Sequence, residues 1–200
     1  VAVTNINIPI NQVIEPVATT RVSFSGNLPT TAEIGDTFTA PIEVIDSQGN
    51  FHDLVVEFEK TGQNQWSWSA VEPTGVVGDG TIEFNENGSI KTITNDNTPP
   101  ISLTPAGADT INIVPEFGTI GDVDGLTQFS SDSATAAAVG QNGNVSGTLQ
   151  TISIGSNGEI TGVFSNGQNK SLGQLALATF KNPSGLLNVG NSFYAESNNS

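Results

Sequence analysis

Apolar residues along this chain recur mostly at every second position, the period of a half-buried strand. Val22 and Phe24 alternate with Ser23 and Ser25, and Gly26-Asn27 ends that run. Phe38, Ala40, Ile42 and Val44 share one face of a second strand, and Leu54, Val56 and Phe58 share one face of its return partner. Between them, Asp46-Ser-Gln-Gly49-Asn50 supplies a turn, because Asp bonds its own backbone and Gly accepts a positive φ. Lys60-Thr-Gly62-Gln-Asn64 predicts the next turn, and Trp66, Trp68 and Ala70 the next apolar face. Ile82 and Phe84 follow, then a turn at Asn85-Glu-Asn-Gly88. A loop marked by Pro99, Pro100 and Pro105 precedes a strand through Ile111 and Ile113.

The two ends of the chain read differently. Val1, Val3, Ile6, Ile8 and Ile10 alternate, but Pro9 and Pro16 restrict this segment to an edge strand or an extended linker. Residues 126–140 are rich in Ser, Thr and Ala and predict no definite element. Leu149–Ile154 and Ile160–Phe164 flank Gly155-Ser-Asn157-Gly158, and Asn-Gly recurs at Asn142-Gly143 and Asn166-Gly167. Asn-Gly between alternating segments is the strongest short-range hairpin signal. The run Leu172–Phe180 is apolar on both faces and predicts a central strand rather than a short buried helix, since Gly173 and Thr179 are poor helix formers. No long amphipathic helix appears. The expected fold is all-β with two β domains. An outer, barrel- or sandwich-like domain at 21–120 is inserted into an inner domain built from 1–20 and 121–200.

Composition supports many short strands joined by tight turns, with 22 Gly and 10 Pro in 200 residues. Cys and Met are both absent, which removes disulfides, thiolate metal sites and a Cys nucleophile. A chain without an initiating Met is expected to be partial or processed. The formal net charge is -15, divided as -1 over residues 1–20, -11 over 21–120 and -3 over 121–200. So acidic a chain repels phosphate backbones and anionic lipid, so neither nucleic acid nor a membrane is an expected partner. No stretch approaches the ~20 apolar residues of a membrane span, and no signal peptide is visible.

Candidate chemistry is sparse. A Ser-His-Asp triad would have to use His52, the single histidine. It follows a hairpin turn, off the face of Leu54 and Val56, and reads as a surface residue beside Asp53. Asp122-Val-Asp124-Gly125 opens like a calcium loop, but position twelve falls on Ser133 where a bidentate Glu is needed. Glu57 with Glu59, and Glu83 with Glu86, resemble the paired carboxylates of glycoside hydrolysis, yet chance provides such pairs among 20 acidic residues. Trp66 and Trp68 would form a sugar platform if exposed, and core if buried. The sequons at Asn87, Asn144, Asn169 and Asn198 carry little weight in an Asn- and Ser-rich chain. No catalytic, cofactor-binding or metal-binding residue is expected, and hence no enzyme.

One ordered series of motifs is more specific. It runs Gly125-Leu-Thr-Gln-Phe129, Gly143-Asn-Val-Ser-Gly147-Thr-Leu149 and Ile160-Thr-Gly-Val-Phe-Ser-Asn-Gly167. It continues through Leu172-Gly-Gln-Leu-Ala-Leu-Ala-Thr-Phe180 to Asn182-Pro-Ser-Gly-Leu186. The series resembles the bacterial flagellar hook proteins and their rod relatives. Thr19-Thr-Arg-Val-Ser-Phe-Ser-Gly-Asn-Leu28 is similar to the segment that opens the outer domain of hook subunits. Val44-Ile-Asp-Ser-Gln-Gly-Asn-Phe-His-Asp-Leu54 and Lys60-Thr-Gly62 are similar to a hairpin of that domain. These segments favour hook over distal rod. The resemblance implies a structural subunit that assembles with copies of itself into a curved, flexible extracellular tube. That tube carries torque from rod to filament, beside rod, hook-cap and hook–filament junction proteins. It also implies export by the flagellar type III pathway, and terminal helices that this sequence lacks, so that these 200 residues alone are expected to be monomeric. A carbohydrate-binding or adhesin β-sandwich using Trp66 and Trp68 is the competing class.

Overall fold

The computed structural model describes residues 6–8, 11–95, 100–176 and 179–198. Sixteen strands follow in order: β1 Val13–Ile14, β2 Arg21–Asn27, β3 Thr37–Ile45, β4 Phe51–Gly62, β5 Gln65–Glu72, β6 Gly75–Phe84, β7 Ile90–Asn95 and β8 Ile101–Leu103. Then come β9 Ile111–Glu116, β10 Leu126–Thr127, β11 Ala137–Gln141, β12 Gly147–Ile154, β13 Glu159–Phe164, β14 Asn169–Gln174, β15 Leu187–Gly190 and β16 Phe193–Ala195. A single 3-10 turn at Pro183–Gly185 is the only helical element among the described residues. The fold is all-β, as expected.

The chain divides into two compact units, one of Ile14–Gly147 and one of Val1–Val13 with Thr148–Ser200. The sequence pattern places its boundaries at 20/21 and 120/121 instead. The difference arises from strand pairing: β10 joins β2 in parallel, and β11 joins it antiparallel. Segments too short to show a period thereby tie residues 126–141 to the larger unit.

In that unit, β3 to β7 form a five-stranded antiparallel meander. Its inner face carries Leu54, Val56 and Phe58 on β4, Trp66, Trp68 and Ala70 on β5, and Ile82 and Phe84 on β6, all buried. Each sits where the alternation puts it. A second sheet is centred on β2, flanked by β9 and β10 on one edge and β11 on the other. Its Val22 and Phe24, with Ile111 and Ile113 of β9, belong to the same buried cluster. Phe117 joins the layers, with ring centroids 5.1 Å from Phe24, 5.8 Å from Phe58 and 5.3 Å from Trp68. Aromatic pairs at such distances add to what area burial alone contributes.

Asn142-Gly143 does not form the expected hairpin. Asn142 Oδ1 accepts from the N–H groups of Thr20 and Arg21 at 2.9 Å each, and its Nδ2 donates to Thr20 Oγ1 at 2.8 Å. It holds the entry to β2 across 121 residues of chain. Asn142→Ala should therefore cost about 1–2 kcal/mol and speed amide exchange at Thr20 and Arg21 more than at other β2 amides. Uniform exchange rates in wild type and variant would contradict this.

In the smaller unit, β1, β12, β13 and β14 form one sheet. Both predicted hairpin turns are present: Gly158 (φ 80°) follows Asn157, and Gly167 (φ 79°) follows Asn166. Gly162 leaves room for Leu149, Phe164 and Leu172, whose side chains lie within 3.2 Å of where its Cβ would stand. The run Leu172–Phe180 is not a central strand. Its described strand residues end β14, an edge strand stopping at Gln174, while Leu177 and Ala178 lie outside the described residues. Val1, Val3 and Ile10 of the N-terminal alternation also lie outside them, and residues 6–8 form no strand. The hairpin of β15 and β16 carries no alternation signal in the sequence; its turn uses positive φ at Gly190, Asn191 and Ser192.

Candidate functional site

The residues that sequence patterns single out for chemistry occupy structural posts. The clearest is the turn between β3 and β4. Asp46 is 1 % exposed, and its carboxylate is surrounded by donors. Oδ1 accepts from the N–H groups of Gln48 (2.8 Å) and Asn50 (2.9 Å), and Oδ2 accepts from Asn50 Nδ2 and His52 Nε2, both at 2.9 Å. Burial pushes this carboxyl up, but the bonds from His52, from the Asn50 side chain and from the two N–H groups outweigh it. They hold the carboxyl well below the usual carboxylate range. Gly49 (φ 88°) completes the turn, and a Cβ there would stand 3.2 Å from Pro16.

His52 is therefore not a surface residue beside Asp53. It continues the parity of Leu54 and Val56, lies opposite buried Val44 in register, and binds Asp46. The turn also reaches remote chain: Gln48 Nε2 donates to Gly107 O at 2.5 Å, and Asp109 N–H to Ser47 Oγ at 3.1 Å. Thr19 locks the entry segment to the same corner through paired bonds with Ile45, N–H to O at 2.8 Å and Ile45 N–H to Oγ1 at 2.9 Å.

Both indoles are buried, Trp66 completely and Trp68 to 1 % exposure. The adhesin reading required them exposed, so it loses the residues that carried it. Lys60, opposite Trp66 in register, is itself buried. Its Nζ donates to Thr30 O at 2.8 Å and lies 5.5 Å from the Trp66 ring centroid. Burial pushes the ammonium pKa down, and the carboxylate of Asp36 counters this in part. The Lys60-Thr-Gly62 motif thus supplies a desolvated cation on an aromatic face.

The acidic pairs lie on the solvent side of the meander. Glu83 pairs with Lys91 at 2.7 Å, Glu86 sits in the β6–β7 turn, and Glu57 and Glu59 point outward from β4. Asp122 and Asp124 lie in a loop whose ends are closed by Leu126 N–H to Phe117 O at 2.7 Å. Asp124 is spent on Thr119, accepting from its N–H at 2.8 Å and its Oγ1 at 2.7 Å, which hold that carboxyl below its ordinary value. Among the described residues no group of three or more His, Cys, Asp or Glu is placed to hold a metal ion.

Several structural posts carry no sequence signal. Phe117 continues the parity of Ile111 and Ile113 past the end of β9, but nothing local says that it joins two layers. Asn27 organises residues 127–131, accepting from Phe129 N–H at 2.7 Å and donating to Phe129 O at 3.2 Å and Ser131 Oγ at 2.8 Å. Only the contact partner, a hundred residues away, makes its role legible.

Geometry of this kind defines a structural β module, in which the distinctive side chains set turns, corners and core. Residues 18–144 match the family described as the flagellar basal body protein FlaE D2 domain, and the chain belongs to that family. The matched segment falls within the larger unit, 14–147. The chain is 35% identical over 180 residues to the flagellar hook protein FlgE of Helicobacter pylori strain 26695, covering 82% of this chain and 24% of that protein. It is 31% identical over 222 residues to the hook protein of Escherichia coli K12, covering 98% and 51%. With the hook protein of Treponema pallidum the identity is 33% over 241 residues, covering 96% and 52%. The chain therefore spans between a quarter and about half the length of these relatives. The crystal structure of Helicobacter pylori flagellar hook protein FlgE2 shares the fold, with a TM-score of 0.54 at 18% identity, covering 79% of this chain and 36% of that one.

Proposed function

We propose that this chain is the β-rich portion of a flagellar hook subunit, a structural element that works by assembling with copies of itself outside the cell. The observation that carries the reading is the similarity to hook proteins of distant bacteria across 82–98% of the chain. The physical chemistry agrees. The motif residues Asp46, Gly49, Asn50, His52 and Lys60 build a turn and a core, which suits a module that works by shape rather than turnover. A joint that bends needs neighbours that slide over weak, polar contacts rather than one large apolar patch. The Ser-, Thr- and Asn-rich surface supplies them. In this reading residues 21–120 are an acidic outer domain inserted into an inner one built from 1–20 and 121–200, and no residue has a catalytic role.

The test uses antibodies raised against residues 14–147. On flagella isolated from the organism that makes this chain, they should decorate the short curved segment between filament and basal body. Labelling confined to the basal body would move the chain to the rod. Absence of label from the whole appendage would overturn the reading.

A further inference from the structure

The solvent face of the meander carries a feature that folding does not require. Pro41, Val55, Val71 and Val76 stand opposite one another in register across β3, β4, β5 and β6. They form a row of aliphatic side chains on the face turned away from the core. Pro41 and Val76 are exposed, Val76 to 63 %, and Val55 and Val71 are half-buried. Apart from Phe51, 59 % exposed at the start of β4, the rest of this face on β4 and β5 follows the ordinary rule for an antiparallel sheet with one wet side and carries Glu, Asp, Gln, Ser and Thr. Beside the row lies a shallow depression of about 390 Å³, floored by Val55, Val71 and Pro73 and rimmed by Asp53, Glu57 and Glu72. Among the described residues none of these three carboxylates has a cationic partner.

We propose that this row is a docking surface for a segment of another protein, one that presents an aliphatic side chain flanked by lysine or arginine. The chemistry of the occupant follows from the rim. Asp53 and Glu57 are four residues apart on one strand, about 13 Å, and both point outward beside Val55. An extended segment with cations at its first and fifth positions and an aliphatic residue at its third presents all three on one face at the same spacing. A second copy of the larger unit does not supply this. Residues 14–147 hold eighteen acidic and three basic side chains. Of those three, Lys60 is buried, Arg21 lies 3.4 Å from Glu116 and Lys91 lies 2.7 Å from Glu83. This surface is independent of the hook assignment: it holds or fails whichever appendage contains the chain.

The probe is the capped pentapeptide Lys-Ser-Val-Ser-Lys, titrated into methyl-labelled chain and followed by NMR. Saturable shifts are expected at Val55, Val71 and Val76, with a dissociation constant in the millimolar range. The affinity should drop at least tenfold for Asp53→Asn with Glu57→Gln, and at least tenfold for Val55→Thr with Val71→Thr. Both variants lie on the wet face, and circular dichroism verifies that they fold. The peptides Lys-Ser-Gly-Ser-Lys and Glu-Ser-Val-Ser-Glu should bind at least tenfold more weakly. Equal binding of the glycine peptide, or shifts spread over every carboxylate, would reduce the effect to charge alone and overturn the proposal. Shifts at Val55 and Val71 that grow with chain concentration without peptide would show a second copy as the occupant, and would overturn it equally.

Discussion

Gly80→Ala is expected to unfold residues 14–147 or to cost on the order of 4 kcal/mol, the upper end of single-residue effects. Gly80 lies opposite Trp68 in the β5–β6 register. A Cβ there would stand 2.1 Å from Thr94 O and 2.7 Å from Trp68 Nε1. Thr94 belongs to the backbone of β7, which pairs with β6, so the carbonyl cannot withdraw without breaking the ladder. The indole cannot withdraw either, because Trp68 is packed against Phe117 in the closed core. Glycine in a strand interior normally weakens it, and here the loss is accepted so that a large ring and a neighbouring strand fit together. Urea unfolding followed by tryptophan fluorescence reports this unit directly, since both tryptophans lie in it. Gly140→Ala is the control: nothing lies within 4 Å of its Cβ position, and its midpoint should shift little. Equal midpoints for the two variants would sink the packing account.

The same glycine shows where sequence reading stops. The strands of the meander were legible wherever alternation and turn residues coincide: Phe38 to Val44, Leu54 to Phe58, Trp66 to Ala70 and the turn at Gly88 all stand as expected. The first half of β6, Gly75-Val-Val-Gly-Asp-Gly80, shows no alternation: Gly75 takes a positive φ (138°), while Gly78 and Gly80 leave room for Ile101 and Trp68. Three glycines hide the strand from any propensity argument. Two- to five-residue strands such as β10 and β11 exist because β2 offers them a hydrogen-bonding edge, a tertiary cause without a local trace. The tryptophans were legible as members of one apolar face, but the corner at Asp46 was not legible as more than a turn. Its motif residues spell a turn, and His52 shares the parity of Leu54 and Val56, but parity alone does not say that it bonds Asp46. A run of alternating residues tells which side chains share a face, yet the end of a strand is where a shared face becomes a lid over the turn.

Asp46→Asn should therefore be the most damaging polar substitution outside the core, by about 2–4 kcal/mol at pH 7. The amide would turn an NH2 group towards a corner where four groups already donate: two backbone N–H groups, Asn50 Nδ2 and His52 Nε2. At 1 % exposure, water cannot replace what is lost. The effect carries a pH signature that a loss of packing would not. Because the folded carboxyl is held below its unfolded value, near 3.9, wild type gains stability from this group fully only above that value. The gain is lost progressively as pH falls below about 4, by at most about 1.4 kcal/mol per pH unit. Asp46→Asn has no such group, so the gap between the two proteins should narrow from pH 4 to 2. Comparing the two proteins isolates this carboxyl from the others, which both share. Urea midpoints measured across this range decide the matter. A gap that stays constant down to pH 2 would mean that the turn is held by shape alone, and that the charge on Asp46 is incidental.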